Sequence, residues 1–361
     1  MERRDGVKEL VLPTMAMVAA ETSSVVLGIL LKAAYFKGLS FFVFIAYCYM
    51  LATLVFLLLA SFFNRKAVLP PLKFPLFSRI FLMALLGSSA QITAYKGLEL
   101  SSPTLSSAIS NIIPVFTFIL AVSFRVEKVA FRSLSTRAKI IGTMISVFGA
   151  FVIIFYKGPK VISSLTWTSS SSSSSYALLQ KPMVFVSSES NWILGGFLLA
   201  IASLLVSFGY IIQSQIMKIY PEEITVNFFC NLFGTIISLP ICLLGEPNLS
   251  SWRLSSSVAV VTVLYSGLFA LPFTFLIHIW GVRLKGPVFV ASFKPTQIVI
   301  AIVAGAIFFG EAVLLGSVIG SIFLSTGLYC VLWGKAKEEE EMKDDESGLS
   351  TINGRLPLLQ S

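Results

Sequence analysis

The chain has 361 residues, 56% of them hydrophobic and only 12% charged, and its mean hydropathy is +0.86; a soluble domain is about a quarter charged. That composition excludes an ordinary soluble protein and describes a chain that crosses a bilayer many times. The net charge of +9 is spread over short loops of alternating density, which reads as membrane orientation and not as a nucleic-acid surface.

Apolar runs recur at residues 11–31, 41–63, 80–95, 103–124, 140–156, 192–217, 224–245, 258–282, 287–310 and 312–334. They predict an all-α integral membrane protein of ten spans. The first run is too long, and lacks a small-residue cleavage pattern, to be a removable signal peptide. It reads "VLPTMAMVAAETSSVVLGILLKAAY", with Glu21 in its middle. Ten residues of helix after Val11 place that carboxylate about 15 Å deep, half of a roughly 30 Å hydrocarbon core. An acid at that depth is costly and marks a functional site by default. Three roles fit it: binding a proton or a substrate ammonium, a fixed ion pair with Lys294, or a neutral acid that hydrogen-bonds between helices.

Further along, Gln91 stands in the third span and Ser107, Ser110 and Asn111 cluster in the fourth, just before Pro114. Proline lacks an N–H, so Pro114 frees the carbonyl of Ser110, and Pro295 in the ninth span frees that of Ala291. Either a broken helix lining a cavity or a packing kink results. Asn227 and Asn231, four apart, share one face of the seventh span. His278, the sole histidine, lies in the eighth, as an interfacial histidine or a proton relay. Lys294 sits seven residues into the ninth span, about 10 Å from its inner end, where its long stem allows snorkelling to the interface or pairing with Glu21 or a substrate carboxylate. Gly316 and Gly320 form GxxxG in the tenth, a spacing that serves internal packing more often than a homodimer. Glu21, Gln91, Ser107, Asn111, Asn227, Asn231 and Lys294 are therefore the candidate substrate contacts.

The loop at 158–191, with seven consecutive serines from Ser169 to Ser175, divides the chain into halves of five spans, 11–157 and 192–335. "PTLSSAISNIIPVFTFILAVSFRVE" from Pro103 and "PVFVASFKPTQIVIAIVAGAIFFGE" from Pro287 match in length, begin with proline, hold a second proline inside and end on glutamate. An odd number of spans per copy inverts the second, and inverted repeats with proline-broken helices point to a transporter with a midplane site. Basic residues favour the loops on the side of the first ten residues, which predicts both termini in the cytoplasm and the serine-rich loop outside. The acidic tail, residues 336–361, reads as disordered, and transport is expected to tolerate its loss beyond Lys337.

"YKGLELSSPTLSSAISNIIPVFTFILA", "AKIIGTMISVFGAFVIIFYKGP", "WGVRLKGPVFVASFKP" and "GSVIGSIFLSTGLYCVLWGK" resemble plant EamA-domain transporters of the nodulin-like, walls-are-thin-related group. These are also called the usually-multiple-acids-move-in-and-out transporters, of the drug/metabolite transporter superfamily. The resemblance implies ten helices in two inverted five-helix repeats around a central cavity, and amino acids or auxin as substrates. The family's first span often carries glutamine where this chain has Glu21.

The expected function is thus a secondary carrier or facilitator of amino acids or related small organic metabolites, working by alternating access, with an auxin-like indole acid as the alternative substrate. An enzyme fits poorly, since aspartate is absent between Asp5 and Asp344 and neither HExxH nor a Walker motif occurs. A channel is the remaining alternative. Neither cofactor nor metal is expected, the four cysteines form no ligand spacing, and the partners are a small molecule and lipid. The plasma membrane is the expected location, with the tonoplast or an endomembrane as alternatives.

Overall fold

The computed structural model describes residues 2–63, 74–101, 103–127, 133–156, 158–162, 189–254, 256–308 and 313–353. Most of the serine-rich loop lies outside them. In the first half, α1 (Glu2–Phe36), α2 (Phe41–Phe63) and α3 (Phe74–Leu100) are followed by a pair of short helices, α4 (Pro103–Ser110) and α5 (Ile113–Ser123), and by α6 (Leu134–Phe155). The second half repeats the pattern with α7 (Glu189–Ile219), α8 (Glu223–Gly245), α9 (Ser257–Tyr265), α10 (Leu271–Lys285), the short pair α11 (Pro287–Ser292) and α12 (Thr296–Phe308), and α13 (Leu315–Asn353). One π turn, Ser266–Ala270, joins α9 to α10 just before Pro272, where the missing proline N–H relaxes the helical ladder.

Nine helical stretches among the described residues are long and apolar enough to cross a bilayer, and Ile113–Ser123 is a shorter apolar helix. With α4 and α5 counted as one broken crossing, the chain makes ten. The fold is all-helical apart from one short antiparallel pair, β1 (Lys160–Ile162) with β2 (Val313–Leu314). The pair ties the chain after α6 to the start of α13. The end of the bundle at which α1 begins is termed the inner end.

Both prolines break their helices. Pro114 enters the first turn of α5 after a turn at Asn111 and Ile112, and Pro295 lies in the turn between α11 and α12. The Ala291 carbonyl that Pro295 frees accepts the Lys294 N–H at 3.0 Å. Breaking the helix there leaves Lys294 in a turn, at the junction of two short helices.

Residue placement is inverted relative to a soluble protein. Leu54, Leu58, Ile141, Phe148, Ile193 and Ile236 are exposed, while Glu21, Asn227, Asn231, Lys139 and Lys285 are buried. An apolar exterior facing lipid, with polar groups inside, is what hydrocarbon solvent selects. The halves interlock through helix pairs contributed one from each, α2 with α8, α3 with α7 and α6 with α13. The seam of α6 and α13 is backbone against backbone: a methyl on Gly142 would stand 2.6 Å from the Gly327 carbonyl oxygen, and one on Gly149 2.7 Å from that of Gly320. Small residues permit such approach, which dispersion then stabilises in lipid. Gly320 of the GxxxG pair therefore packs within the chain.

Helix α13 continues past residue 336 as far as Asn353. Its acidic run lacks apolar periodicity, but Lys139 from another part of the chain supplies a counter-charge to Glu338 at 3.1 Å.

Candidate functional site

A cavity of about 430 Å³ lies among α3, α7, α8, α10 and the α11–α12 break. Its walls are largely apolar, with Met83, Ala90, Leu199, Val206 and Phe275 among them. Polar groups enter from several directions: Gln91 from α3, Tyr210 and Gln213 from α7, Asn227 and Asn231 from α8, His278 from α10, and Lys294 and Gln297 from the α11–α12 break. Toward the inner end the same helices pack Leu76, Ile80, Ile216, Tyr220, Val226 and Ile279 into a buried cluster, which Met83 shares with the cavity wall. That layer lies on the inner side of the cavity.

Glu21 is not itself on the cavity wall. It has no exposed surface and sits behind Lys294, His278 and Gln297. Lys294 Nζ lies 3.2 Å from Glu21 Oε1 and 3.4 Å from Oε2; His278 Nε2 is 3.1 Å from Oε1; and the Gln297 side-chain amide donates to Oε2. Three donors converge on one carboxylate because α1, α10 and the α11–α12 turn meet there. The ring of Tyr210 stands 6.1 Å from that of His278, edge to face. The lysine side chain retains 18% of its surface and lines the cavity, with Glu21 and the Tyr210 hydroxyl as partners of its ammonium. A carboxylate-bearing solute entering the cavity would compete with Glu21 for that ammonium.

On α8, the two asparagines offer hydrogen-bonding groups that the described residues do not use. Asn231 Nδ2 donates to the Asn227 carbonyl at 2.8 Å, leaving Asn231 Oδ1 and Asn227 Nδ2 without a protein partner. Both side chains are at least 97% buried. Buried polar atoms without partners cost stability, so one acceptor and one donor on residues that line a cavity are a feature that a ligand can satisfy.

Comparison with known proteins accounts for this architecture. The family model described as the EamA-like transporter family matches residues 12–155 and again 193–333. The chain belongs to the EamA-like transporter family. A WAT1-related protein of Arabidopsis thaliana is 50% identical over 329 residues, covering 91% of this chain and 88% of the relative. A second WAT1-related protein of the same plant is 48% identical over 344 residues, covering 95% and 94%. One crystal structure, at 12% identity, superposes with a TM-score of 0.62 over 90% of this chain and 95% of its own, which is a likeness of fold alone.

Within this EamA-like family member, Gln91, Asn227, Asn231, Lys294 and His278 come together at one cavity. Two of the expected substrate contacts do not reach it. Glu21 supports the wall from behind, because α1 packs outside the ring of helices that encloses the space. Asn111 is buried in the turn before α5, where its neighbours Ser110 and Ile113 line the cavity and it does not. The side chain of Ser107 lies outside the described residues. The sequence reading missed Gln297, Tyr210 and Gln213. Gln297 follows the "KP" break by two residues, and its proximity to a lysine at a proline-broken helix was the available signal. Tyr210 and Gln213, in an otherwise apolar span, carried none beyond their polarity.

Proposed function

We propose that this EamA-like protein is a secondary carrier of small carboxylate-bearing metabolites, amino acids foremost, moved across a plant membrane by alternating access. The observation that carries the proposal is Lys294, a cation on the cavity wall whose ammonium is held by Glu21 and Tyr210. A substrate carboxylate is taken up by Lys294, while Asn231 Oδ1 and Asn227 Nδ2 meet the amino and polar groups at the far wall. Glu21 then acts as a positioning residue, holding Lys294, His278 and Gln297 at the wall. The apolar remainder of the lining favours an indole acid as the second substrate class, since a planar ring gains by burial against Phe275 and Leu199. Relatedness to transporters argues for carriage and against catalysis.

The test is uptake and efflux of a labelled panel of amino acids and indole acids at two external pH values, in oocytes expressing the chain. Saturable flux with counterflow supports a carrier. Conductance far above carrier turnover would favour a pore. Orientation is proposed from the distribution of basic residues, with the inner end cytoplasmic and the plasma membrane as location. An epitope at Ser172 is then reached from outside intact cells while both termini are reached only after permeabilisation.

A further inference from the structure

The inner end carries a second charge cluster, remote from the cavity and unused by the proposed substrate path. Glu127 follows α5 in a turn made by Arg125, whose φ of 53° is a costly conformation for a residue with a Cβ. The turn swings Glu127 inward: its side chain is 5% exposed and Lys139, on the first turns of α6, is 1% exposed. Four side chains close a ring of alternating sign. Lys139 Nζ stands 3.0 Å from Glu127 Oε2 and 3.1 Å from Glu338 Oε1. Lys335 Nζ stands 2.8 Å from Glu338 Oε2 and 3.7 Å from Glu127 Oε1.

The ring spans both halves and reaches the gating elements. Glu127 leads out of α5, which packs on α11. A Cβ at Gly286, the hinge between α10 and α11 with φ of 89°, would lie 3.2 Å from Glu127 Oε1 and 3.9 Å from Lys335 Nζ. One turn along the helix, Glu341 Oε2 accepts hydrogen bonds from Ser133 and Ser135 at 3.1 and 3.3 Å. Glu338 and Glu341 belong to the acidic extension of α13, so the extension closes the ring. Buried ion pairs are poor sources of net stability and are costly to break singly, which suits a two-state contact better than a static strut.

We propose that the ring of Glu127, Lys139, Glu338 and Lys335 is a latch that holds the inner end closed, and that the acidic extension of the last helix is its movable bolt. The proposal rests on the alternating-access reading. Glu127 leaves the end of α5 and reaches partners on α6 and α13, so any movement of the inner end of α5 relative to those two helices in that cycle must part it from them.

The experiment compares two truncations of the full carrier in nanodiscs, one after Glu341 and one after Lys337, together with Glu338→Gln. Each carries either Ile80→Cys in the inner apolar layer or Phe44→Cys in the opposite buried cluster, with the four native cysteines replaced by alanine. The readout is the rate of labelling by a bulky water-soluble maleimide, in samples that elute as one monodisperse peak. Loss of Glu338 is expected to raise labelling at position 80 at least about threefold, in keeping with removal of a modest, partly buried ion pair, and to leave position 44 unchanged. Truncation after Glu341 leaves both rates at the full-length values. Equal labelling at position 80 after the two truncations would overturn the latch, and a parallel rise at position 44 would replace it with general loosening. Labelling needs no substrate, so a chain that shows the latch and no flux would count against the carrier reading alone.

Discussion

Lys294 and Glu21 come from opposite halves of the chain and stand 3.2 Å apart, the lysine open to the cavity and the glutamate with no exposed surface. The pair therefore has an inner and an outer member, and only the outer one can meet a solute directly. Substitutions of the two are accordingly not equivalent.

Glu21→Gln keeps a hydrogen-bonding side chain of the same shape and removes the charge that competes with substrate for Lys294. The carrier is expected to fold, and its KM for carboxylate substrates is expected to fall about fivefold, the equivalent of about 1 kcal/mol. Its pH profile is expected to shift, because His278 loses the carboxylate beside it. Unchanged KM, selectivity and pH profile at equal surface expression would reduce Glu21 to a packing element.

Lys294→Met leaves Glu21 buried with neutral donors only, from His278 and Gln297. Removing one partner of a buried pair costs about 3–5 kcal/mol, so low expression and a lower Tm are expected. The double variant Glu21→Gln with Lys294→Met restores the Tm without restoring carboxylate transport. Carboxylate flux in that double variant would sink the assignment of Lys294 as the anchoring cation.

Asn231→Ala deletes the unpartnered acceptor of α8 and its bond to the Asn227 carbonyl. One hydrogen bond of about 1–1.5 kcal/mol corresponds to a roughly tenfold rise in KM. The rise should be larger for α-amino acids than for indole acids that lack the ammonium, and an equal effect on both would argue that Asn231 only holds α8 in place.

Gly142→Leu drives a side chain into the Gly327 carbonyl and Cys330 across the seam of α6 and α13. Overpacking costs about 1–3 kcal/mol where neighbours can shift and more where, as here, the obstacle is backbone. Loss of the monodisperse peak in detergent is expected, whereas Gly209→Ala, with nothing within 4 Å of the added carbon, should elute as the parent does. A well-folded Gly142→Leu protein would mean that the seam yields more readily than its spacing indicates.

Much of this arrangement was legible in advance because lipid simplifies the code. Length and apolarity specify crossings, and Pro114 and Pro295 announce their breaks by chemistry alone. A lone acid in the apolar stretch of α1 is conspicuous against hydrocarbon. Its neighbours were harder to read: His278 is 257 residues away, and nothing local to either residue encodes their meeting. Residue counting supplies an expected depth for Glu21, but its place behind the wall depends on how α1 rotates about its axis, which is set by packing against α10 and α12. The extension of α13 was not legible for a related reason. Acidic composition describes a segment in isolation, and the counter-charges Lys139 and Lys335 sit on surfaces formed only when α6 and α13 close against each other.

That seam also bears on how the polypeptide is assembled during synthesis. Because each interlocking pair draws one helix from either half, the first half leaves the ribosome with α2, α3 and α6 all lacking mates, and with Glu21 lacking its lysine. The nascent N-terminal half must wait in the membrane for the C-terminal half, much as one subunit of an obligate dimer waits for the other. Translation has to pass Lys294 before the carboxylate has its counter-charge, and Gly327 before α6 has its groove filled. Covalent linkage thus ensures that the second subunit arrives at the right place and at a high local concentration.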